Sequence, residues 1–346
     1  MNAMRRAPRN LVLLAALAFG IAQAAPRDDA AQAQAEALTQ FQKDLVSVLA
    51  LRADAEHLLG AALLARSLPQ QPPALSFHAL LERAAAAADA GPAVAWAQLG
   101  DCTASACPQP QALATLRAQA ADNAAGGLLA LNQAAAHNDD KAARAALAEA
   151  AARDRYDGYS GPLLQAVTAA VLSLPIAPDA AQALTGSTEA TAPAQWFVIA
   201  SAVAALPRPA FFAAAVLCFK SKAPDDALRA DCLRLGHALE WGDGFQARRF
   251  GLELRARLAA DPAQQADARR EIRDLTWQFE QYSRLSARAL REPAVARALL
   301  TLALRGGSEL STCYALLRQF GVPLQAPADW RLPSERSAPA QGGTTS

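Results

Sequence analysis

Apolar side chains recur at three- and four-residue spacing along most of this chain, and no stretch alternates apolar and polar residues as a half-buried strand does. Alanine, the strongest helix former, fills much of the remaining sequence. Three of the apolar stripes are Phe77–Leu80–Leu81–Ala84, Ala247–Phe250–Leu254–Leu258 and Ile272–Leu275–Phe279–Tyr282. The pattern predicts an all-α fold.

Clusters of Pro, Gly and Asp interrupt the helical pattern at short intervals, as expected for paired antiparallel helices. Residues 176–193 are rich in small and polar side chains, which predicts a linker between helical domains at 25–175 and 194–330. One continuous solenoid remains the alternative. Residues 331–346 lack apolar periodicity and are predicted to form a disordered tail.

The first 24 residues have the pattern of a secretory signal peptide. Arg5, Arg6 and Arg9 precede the apolar run "LVLLAALAFGIA", and Ala22-Gln23-Ala24 fits the small-x-small cleavage rule. An apolar run of twelve residues is short for a hydrocarbon core of about 30 Å. We therefore expect an exported protein, which is periplasmic if the cell has an outer membrane.

The charge balance argues against nucleic-acid binding. The full chain has 33 basic and 32 acidic residues, and the signal peptide contains three arginines and no acid. Cleavage would thus leave 322 residues with 30 basic and 32 acidic side chains, a net charge of −2. No basic stripe of the kind that binds nucleic acid is present.

A second apolar segment, residues 196–219, could be mistaken for a membrane span. The sequence Pro207-Arg208-Pro209 divides it into two pieces, each too short to cross a bilayer. We expect two buried helices here and no membrane span in the mature chain.

Five cysteines bear on the compartment, because disulfides persist in oxidising environments. Cys102 and Cys107 bracket the small loop Thr-Ala-Ser-Ala, which predicts a short-range disulfide. A zinc site would need four ligands, usually in two close pairs, and the sequence has no second close pair of Cys or His. A thioredoxin-like redox pair would be C-x-x-C, whereas four residues separate Cys102 from Cys107.

The other three cysteines allow two pairings. Cys218 and Cys232 flank a predicted turn between helices, so a bridge between them is one possibility. Alternatively, Cys313 pairs with Cys232 and leaves Cys218 buried and reduced.

Catalytic and metal-binding motifs are missing from the sequence, and neither a catalytic residue nor a cofactor is predicted. The four histidines are scattered, with no pair spaced to bind one metal. The stretch "GYSGP", residues 158–162, lacks the G-x-S-x-G spacing of a nucleophile elbow. We interpret it as a helix start that Ser160 caps.

An acid/base pair could still hide among four carboxylates of the C-terminal half: Glu240, Asp243, Glu271 and Glu280. This leaves an alternative function, a periplasmic enzyme on an α-helical scaffold acting on cell-envelope material. A carrier of a small apolar ligand is a third possibility.

Residues 123–154 resemble a tetratricopeptide repeat, a helical hairpin of about 34 residues with small side chains where its helices touch. Asp139 lies at the inter-helix turn, and Ala143, Leu147 and Ala150 match the small, large and small positions of the second helix. The chain departs from the family pattern at Gly127, Leu131 and Arg155, where the repeat favours Trp, Gly and Pro.

Two other stretches resemble parts of the same repeat, "WAQLG" at 96–100 and the segment at 238–258. The resemblance implies stacked antiparallel hairpins in a TPR-like solenoid, with a concave face that binds proteins or peptides.

One helix offers candidate binding residues. Trp277 lies off the apolar stripe at 272–282, with Arg273 and Arg284 nearby. Aromatic and Arg side chains are favoured at interface hot spots. The sequence thus predicts an exported, non-catalytic helical-repeat protein that binds a protein or peptide partner through these three residues.

Overall fold

In the computed structural model, residues 25–100, 110–204, 210–220 and 225–336 are described. Within these ranges the chain is helical and forms no strand, apart from one isolated bridge between Asn123 and Arg155. The all-α prediction is confirmed. The predicted signal peptide, the Cys102–Cys107 loop and residues 337–346 lie outside the described residues.

The helices are α1 (Ala25–Leu49), α2 (Ala55–Ala65), α3 (Phe77–Ala86), α4 (Pro92–Leu99), α5 (Pro110–Gln119), α6 (Ala125–Ala136), α7 (Asp140–Ala151), α8 (Ser160–Leu172), α9 (Pro178–Thr185), α10 (Thr191–Ala204), α11 (Phe212–Lys220), α12 (Asp226–Glu240), α13 (Phe245–Leu258), α14 (Pro262–Ala289), α15 (Pro293–Leu304), α16 (Glu309–Gln319) and α17 (Pro333–Arg336). A single 3₁₀ turn, Pro73–Leu75, precedes α3.

Local sequence explains many of the helix starts. An Asp or Ser side chain accepts a hydrogen bond from a free backbone N–H at the start of six helices, at Asp54, Ser76, Asp139, Asp225, Asp261 and Ser308. Proline occupies the first turn of α4, α9, α14 and α15, where its missing N–H costs nothing.

Two hairpins are tightly packed, α6 with α7 and α12 with α13. Glycine permits the close approach in both. A Cβ atom at Gly127 would lie 2.8 Å from the backbone N of Ala150. A Cβ at Gly251 would lie 2.5 Å from the carbonyl oxygen of Gly236.

The two hairpins are neighbours, because α7 packs against α12. Helix α14 then packs against α13, so five helices form a continuous layer. Helix α8 lies in a second group of helices, where it contacts α2, α10 and α15. A single cluster of buried side chains runs through both groups.

The segment expected to be a linker, 176–193, contains α9. This helix packs against α1 and α10 and buries Ala181 and Leu184. Helices from both halves of the chain also contact each other directly. The division into two domains stays a prediction.

The apolar segment 196–219 contributes to two separate helices, α10 and α11, and each buries part of its surface. Among the described helices, none combines the length and the apolar character needed to cross a membrane.

The Cys218 and Cys232 sulfurs lie 1.99 Å apart and link α11 to α12. Cys313 is a buried free thiol in α16, so the alternative pairing with Cys232 is not present.

Candidate functional site

The loop from Arg155 to Tyr159, which leads into α8, is held by a buried asparagine. The Asn123 side-chain amide donates to the Asp157 carbonyl oxygen at 2.9 Å and to the Tyr159 hydroxyl at 3.0 Å. Its Oδ1 accepts from the Asp157 backbone N–H at 3.0 Å. Tyr159 has a positive φ of 57°, an uncommon conformation for a residue with a side chain.

Asp243, in the turn between α12 and α13, caps α8 from a distant part of the chain. Its Oδ1 accepts from the Gly158 N–H at 2.9 Å. Its Oδ2 accepts from the Ser160 N–H at 3.3 Å and from the Ser160 hydroxyl at 3.0 Å. The prediction that Ser160 caps the helix was therefore wrong, because Ser160 is the first helical residue and donates to Asp243.

The start of α16 lies beside the starts of α8 and α13. Glu309, the first residue of α16, accepts from the Phe245 N–H at 3.0 Å, and Phe245 is the first residue of α13. The Asp243 carbonyl oxygen accepts from the Leu310 N–H at 3.2 Å. The N-terminal ends of α8, α13 and α16 thus converge around two carboxylates.

Burial and the charge of Asp243 raise the pKa values of two neighbouring groups, Asp157 and Tyr156. Burial, followed by the negative charge of Asp243, raises the pKa of the Asp157 carboxyl to about 6. Burial and then the same Asp243 charge hold the pKa of Tyr156 well above its usual value. Two neighbouring carboxyls resist ionising together, so Asp157 carries a proton in mildly acidic solution.

A cleft of about 370 Å³ opens beside these groups. Its apolar wall consists of Leu163, Val203, Phe245, Ala247, Leu275 and Phe279. Its polar lining includes Ser160, Asp243, Arg249, Thr276 and Glu309. We call this space the α8–α13 cleft.

Phe279 is the exposed aromatic of the cleft. It belongs to the apolar stripe Ile272–Leu275–Phe279–Tyr282, yet 49% of its surface is accessible. Its ring meets the buried Phe245 ring edge-on, with 5.0 Å between centroids. Leu275, on the same stripe, is buried as expected.

Two of the predicted partner-binding residues contact the chain's own C-terminal segment instead of open solvent. Trp277 is half-buried and its Nε1–H donates to the Pro323 carbonyl oxygen at 2.9 Å. The Arg273 guanidinium donates to the carbonyl oxygens of Ala326 at 3.3 Å and Trp330 at 2.7 Å. Sequence periodicity did not anticipate this segment.

The third predicted partner-binding residue, Arg284, lies on the same helix. Its side chain is exposed and forms an ion pair with Glu280, at 2.5 Å. Neither Arg284 nor the other two predicted residues lines the α8–α13 cleft.

The four carboxylates considered for acid/base chemistry do not all meet at one site. Glu240 and Glu271 share the Arg255 guanidinium, at 3.0 and 2.7 Å. Glu280 is paired with Arg284, and only Asp243 lines the cleft. The carboxyl whose pKa the charge of Asp243 helps to raise is Asp157, which was not among the four.

No grouping of three or more His, Cys, Asp or Glu side chains suited to a metal ion occurs in the described ranges. The chain matches no protein-family model, no curated protein and no solved structure. The function has to be argued from the site itself.

Proposed function

We propose that this is an exported, non-catalytic binding protein whose α8–α13 cleft takes an apolar side chain from a protein or peptide partner. The observation that carries the proposal is Phe279, a large aromatic side chain left half exposed in an apolar cleft. A concave space lined mainly by apolar and aromatic side chains, with a few polar groups, is typical of a binding site.

The size and rigidity of the cleft support binding. Its volume of about 370 Å³ falls within the range of ligand pockets. Its floor is fixed by the helix-start hydrogen bonds to Asp243 and Glu309. A preformed cleft lowers the entropy cost of association.

The charge of the cleft indicates the partner's chemistry. Asp243 faces the start of α8, and Glu309 faces the start of α13. A helix N-terminus offsets only about half an elementary charge, so the Asp243 carboxylate keeps a net negative charge. Arg249 is already paired with Glu253, at 3.0 Å. The partner segment therefore has an aromatic or leucine-like anchor next to a basic residue.

In this proposal the hairpins α6–α7 and α12–α13 are units of a TPR-like array that α14 extends. The packing of α7 on α12 and the small residues at each hairpin support this arrangement. The linked cysteines Cys218 and Cys232 fit an oxidising compartment such as the periplasm.

The alternative is a periplasmic enzyme that acts on cell-envelope material. One observation favours it: burial and the charge of Asp243 raise the pKa of Asp157, next to the cleft, to about 6. Raised carboxyl pKa values are common at catalytic sites. Against it, Asp157 and Asp243 already accept backbone N–H bonds that hold the start of α8.

The test uses the mature, oxidised protein and a displayed library of random peptides. Selected peptides are measured against wild type, Phe279→Ala and Phe212→Ala by fluorescence polarisation. Phe212 is the matched control, since it is 73% exposed and lies outside the cleft. Loss of a hot-spot side chain should weaken binding about 10- to 30-fold in Phe279→Ala only.

Enriched sequences should carry an aromatic or leucine anchor beside Lys or Arg. Peptides that bind Phe279→Ala as tightly as wild type would contradict the proposal, as would a library without enrichment. Turnover of cell-envelope material that Asp157→Asn abolishes would favour the enzyme instead.

A further inference from the structure

A second cavity, of about 220 Å³, lies on the other side of Tyr156 from the α8–α13 cleft. Side chains of α4 and α6 and the residues before α11 line it. Its lining is mostly apolar and includes Trp96, Leu99, Leu128, Leu129, Tyr156 and Phe211. We call it the Trp96 cavity.

Two buried donors in this lining have no acceptor. Trp96 is 5% exposed and Tyr156 is 3% exposed. Within the described chain, neither the Trp96 Nε1–H nor the Tyr156 hydroxyl has a hydrogen-bond partner. Buried polar groups are nearly always paired, so two unpaired donors on one small cavity call for an explanation.

One further polar side chain, Asn132, lines the cavity. The Asn132 amide donates to the Ala210 carbonyl oxygen at 2.8 Å. Burial and nearby carboxylates raise the pKa of Tyr156, so its hydroxyl keeps its proton and remains a donor. The cavity thus offers mostly apolar walls and two donors without an acceptor among the described residues.

We propose that the Trp96 cavity binds a small apolar molecule that carries a hydrogen-bond acceptor such as a carbonyl oxygen. The volume is adequate, since an engineered apolar cavity of about 150 Å³ holds benzene. An acceptor oxygen would pair with the Trp96 or the Tyr156 donor, and the rest of the ligand would contact Leu99, Leu128 and Phe211. This site goes beyond the proposed function, because it involves neither Phe279 nor the peptide anchor.

Acetophenone and α-methylstyrene are the probes. They have nearly the same shape, but only acetophenone carries an acceptor, its carbonyl oxygen. Binding is measured by titration with ¹H–¹⁵N spectra of the mature, oxidised protein, following the backbone amide signals of Leu99 and Leu128 in every variant and the Trp96 indole N–H signal in wild type and Tyr156→Phe. That signal is assigned from its disappearance in Trp96→Phe.

We expect acetophenone to bind about five- to tenfold more tightly than α-methylstyrene, the effect of one hydrogen bond to an otherwise unpaired buried donor. The preference should disappear in Trp96→Phe, in Tyr156→Phe or in both. Tyr156→Phe removes a hydroxyl that has no partner, so that variant keeps its fold.

Three results would overturn the proposal. The two probes could bind equally to wild type, both variants could retain the preference for acetophenone, or neither probe could bind. The last result would mean that the cavity holds water only. The outcome is independent of the peptide experiment, since Phe279→Ala should bind acetophenone as wild type does.

Discussion

Asp243 caps α8 from a distant part of the chain and accepts three hydrogen bonds there. Its removal should therefore lower the free energy of unfolding by more than the loss of an ordinary cap does. In Asp243→Ala the Gly158 and Ser160 backbone N–H groups and the Ser160 hydroxyl lose their acceptor. The matched control is Asp139→Ala, because Asp139 caps α7 through a single bond to the Ala142 N–H at 2.9 Å.

The magnitude follows from the bonds lost. Removing an ordinary N-cap costs about 1 kcal/mol, which we expect for Asp139→Ala. A hydrogen bond to a charged group contributes about 1.5 to 3 kcal/mol, and Asp243 accepts three of them. These bonds share one carboxylate and are not additive, so we expect a loss of about 3 kcal/mol for Asp243→Ala.

The loss should depend on pH. The charge of Asp243 is the second cause of the raised Asp157 pKa, so Asp243→Ala also removes a repulsion that acts when both carboxyls are ionised. The variant should therefore lose less stability at about pH 7.5 than at about pH 5, where Asp157 is largely protonated in the wild type.

Urea unfolding followed by circular dichroism measures both variants at the two pH values, with the slope m as a check on two-state behaviour. If Asp243→Ala loses no more stability than Asp139→Ala, the convergence of three helix starts is not held by this carboxylate. An equal loss at both pH values would refute the coupling to Asp157.

Further predictions concern a carboxyl, a helix contact and a disulfide. The folded pKa of Asp157, about 6, lies above its ordinary value of 3.8, so the folded state binds the proton more tightly and loses stability as pH rises through about 6. In melting curves against pH, Asp157→Asn should be more stable than wild type above about pH 6, with no gain near pH 4. Gly127→Ala should destabilise the α6–α7 hairpin by about 1 to 3 kcal/mol in urea unfolding, because the new Cβ would meet the α7 backbone. Gly91→Ala is the control, because no atom lies within 4 Å of the added Cβ, and it should lower the free energy of unfolding by about 0.5 kcal/mol. Equal losses of stability in Gly127→Ala and Gly91→Ala would contradict the packing argument. Cys218→Ser should lower stability by about 3 kcal/mol because the bridge to Cys232 closes a loop with a sequence separation of 14, and reductant should then have little further effect at this bridge.

The fold class was predictable because its determinants are local. Helical periodicity and alanine content act within a few residues, and the caps at Asp54 and Asp139 are recognisable in sequence. Gly127 was noted only as a departure from the repeat pattern, whereas in the structure it sets the distance between α6 and α7. The disulfide predicted for Cys102 and Cys107 stays a prediction that non-reducing peptide mapping would test.

The site could not be predicted, because it depends on contacts between distant turns. Asp157, Asp243 and Glu309 each lie next to a glycine or serine turn and resemble ordinary cap or loop residues. Only tertiary packing brings them to one place. The two aromatic residues of α14 could not be predicted for the same reason. Residues 323–330 cover Trp277 and leave Phe279 exposed, and the periodicity of α14 does not reveal that contact.

The contact between α8 and α15 has a consequence for how quickly the chain can fold. Helical proteins usually fold fast because most of their contacts are local. Here residues 173–292 separate the two partner helices, so a large loop must close before α15 covers its side of α8. In a chain emerging from the ribosome, the side of α8 that α15 covers stays exposed until α15 follows. In the exported protein proposed above, slow completion of the native state would keep the chain unfolded while it is threaded through a translocation pore.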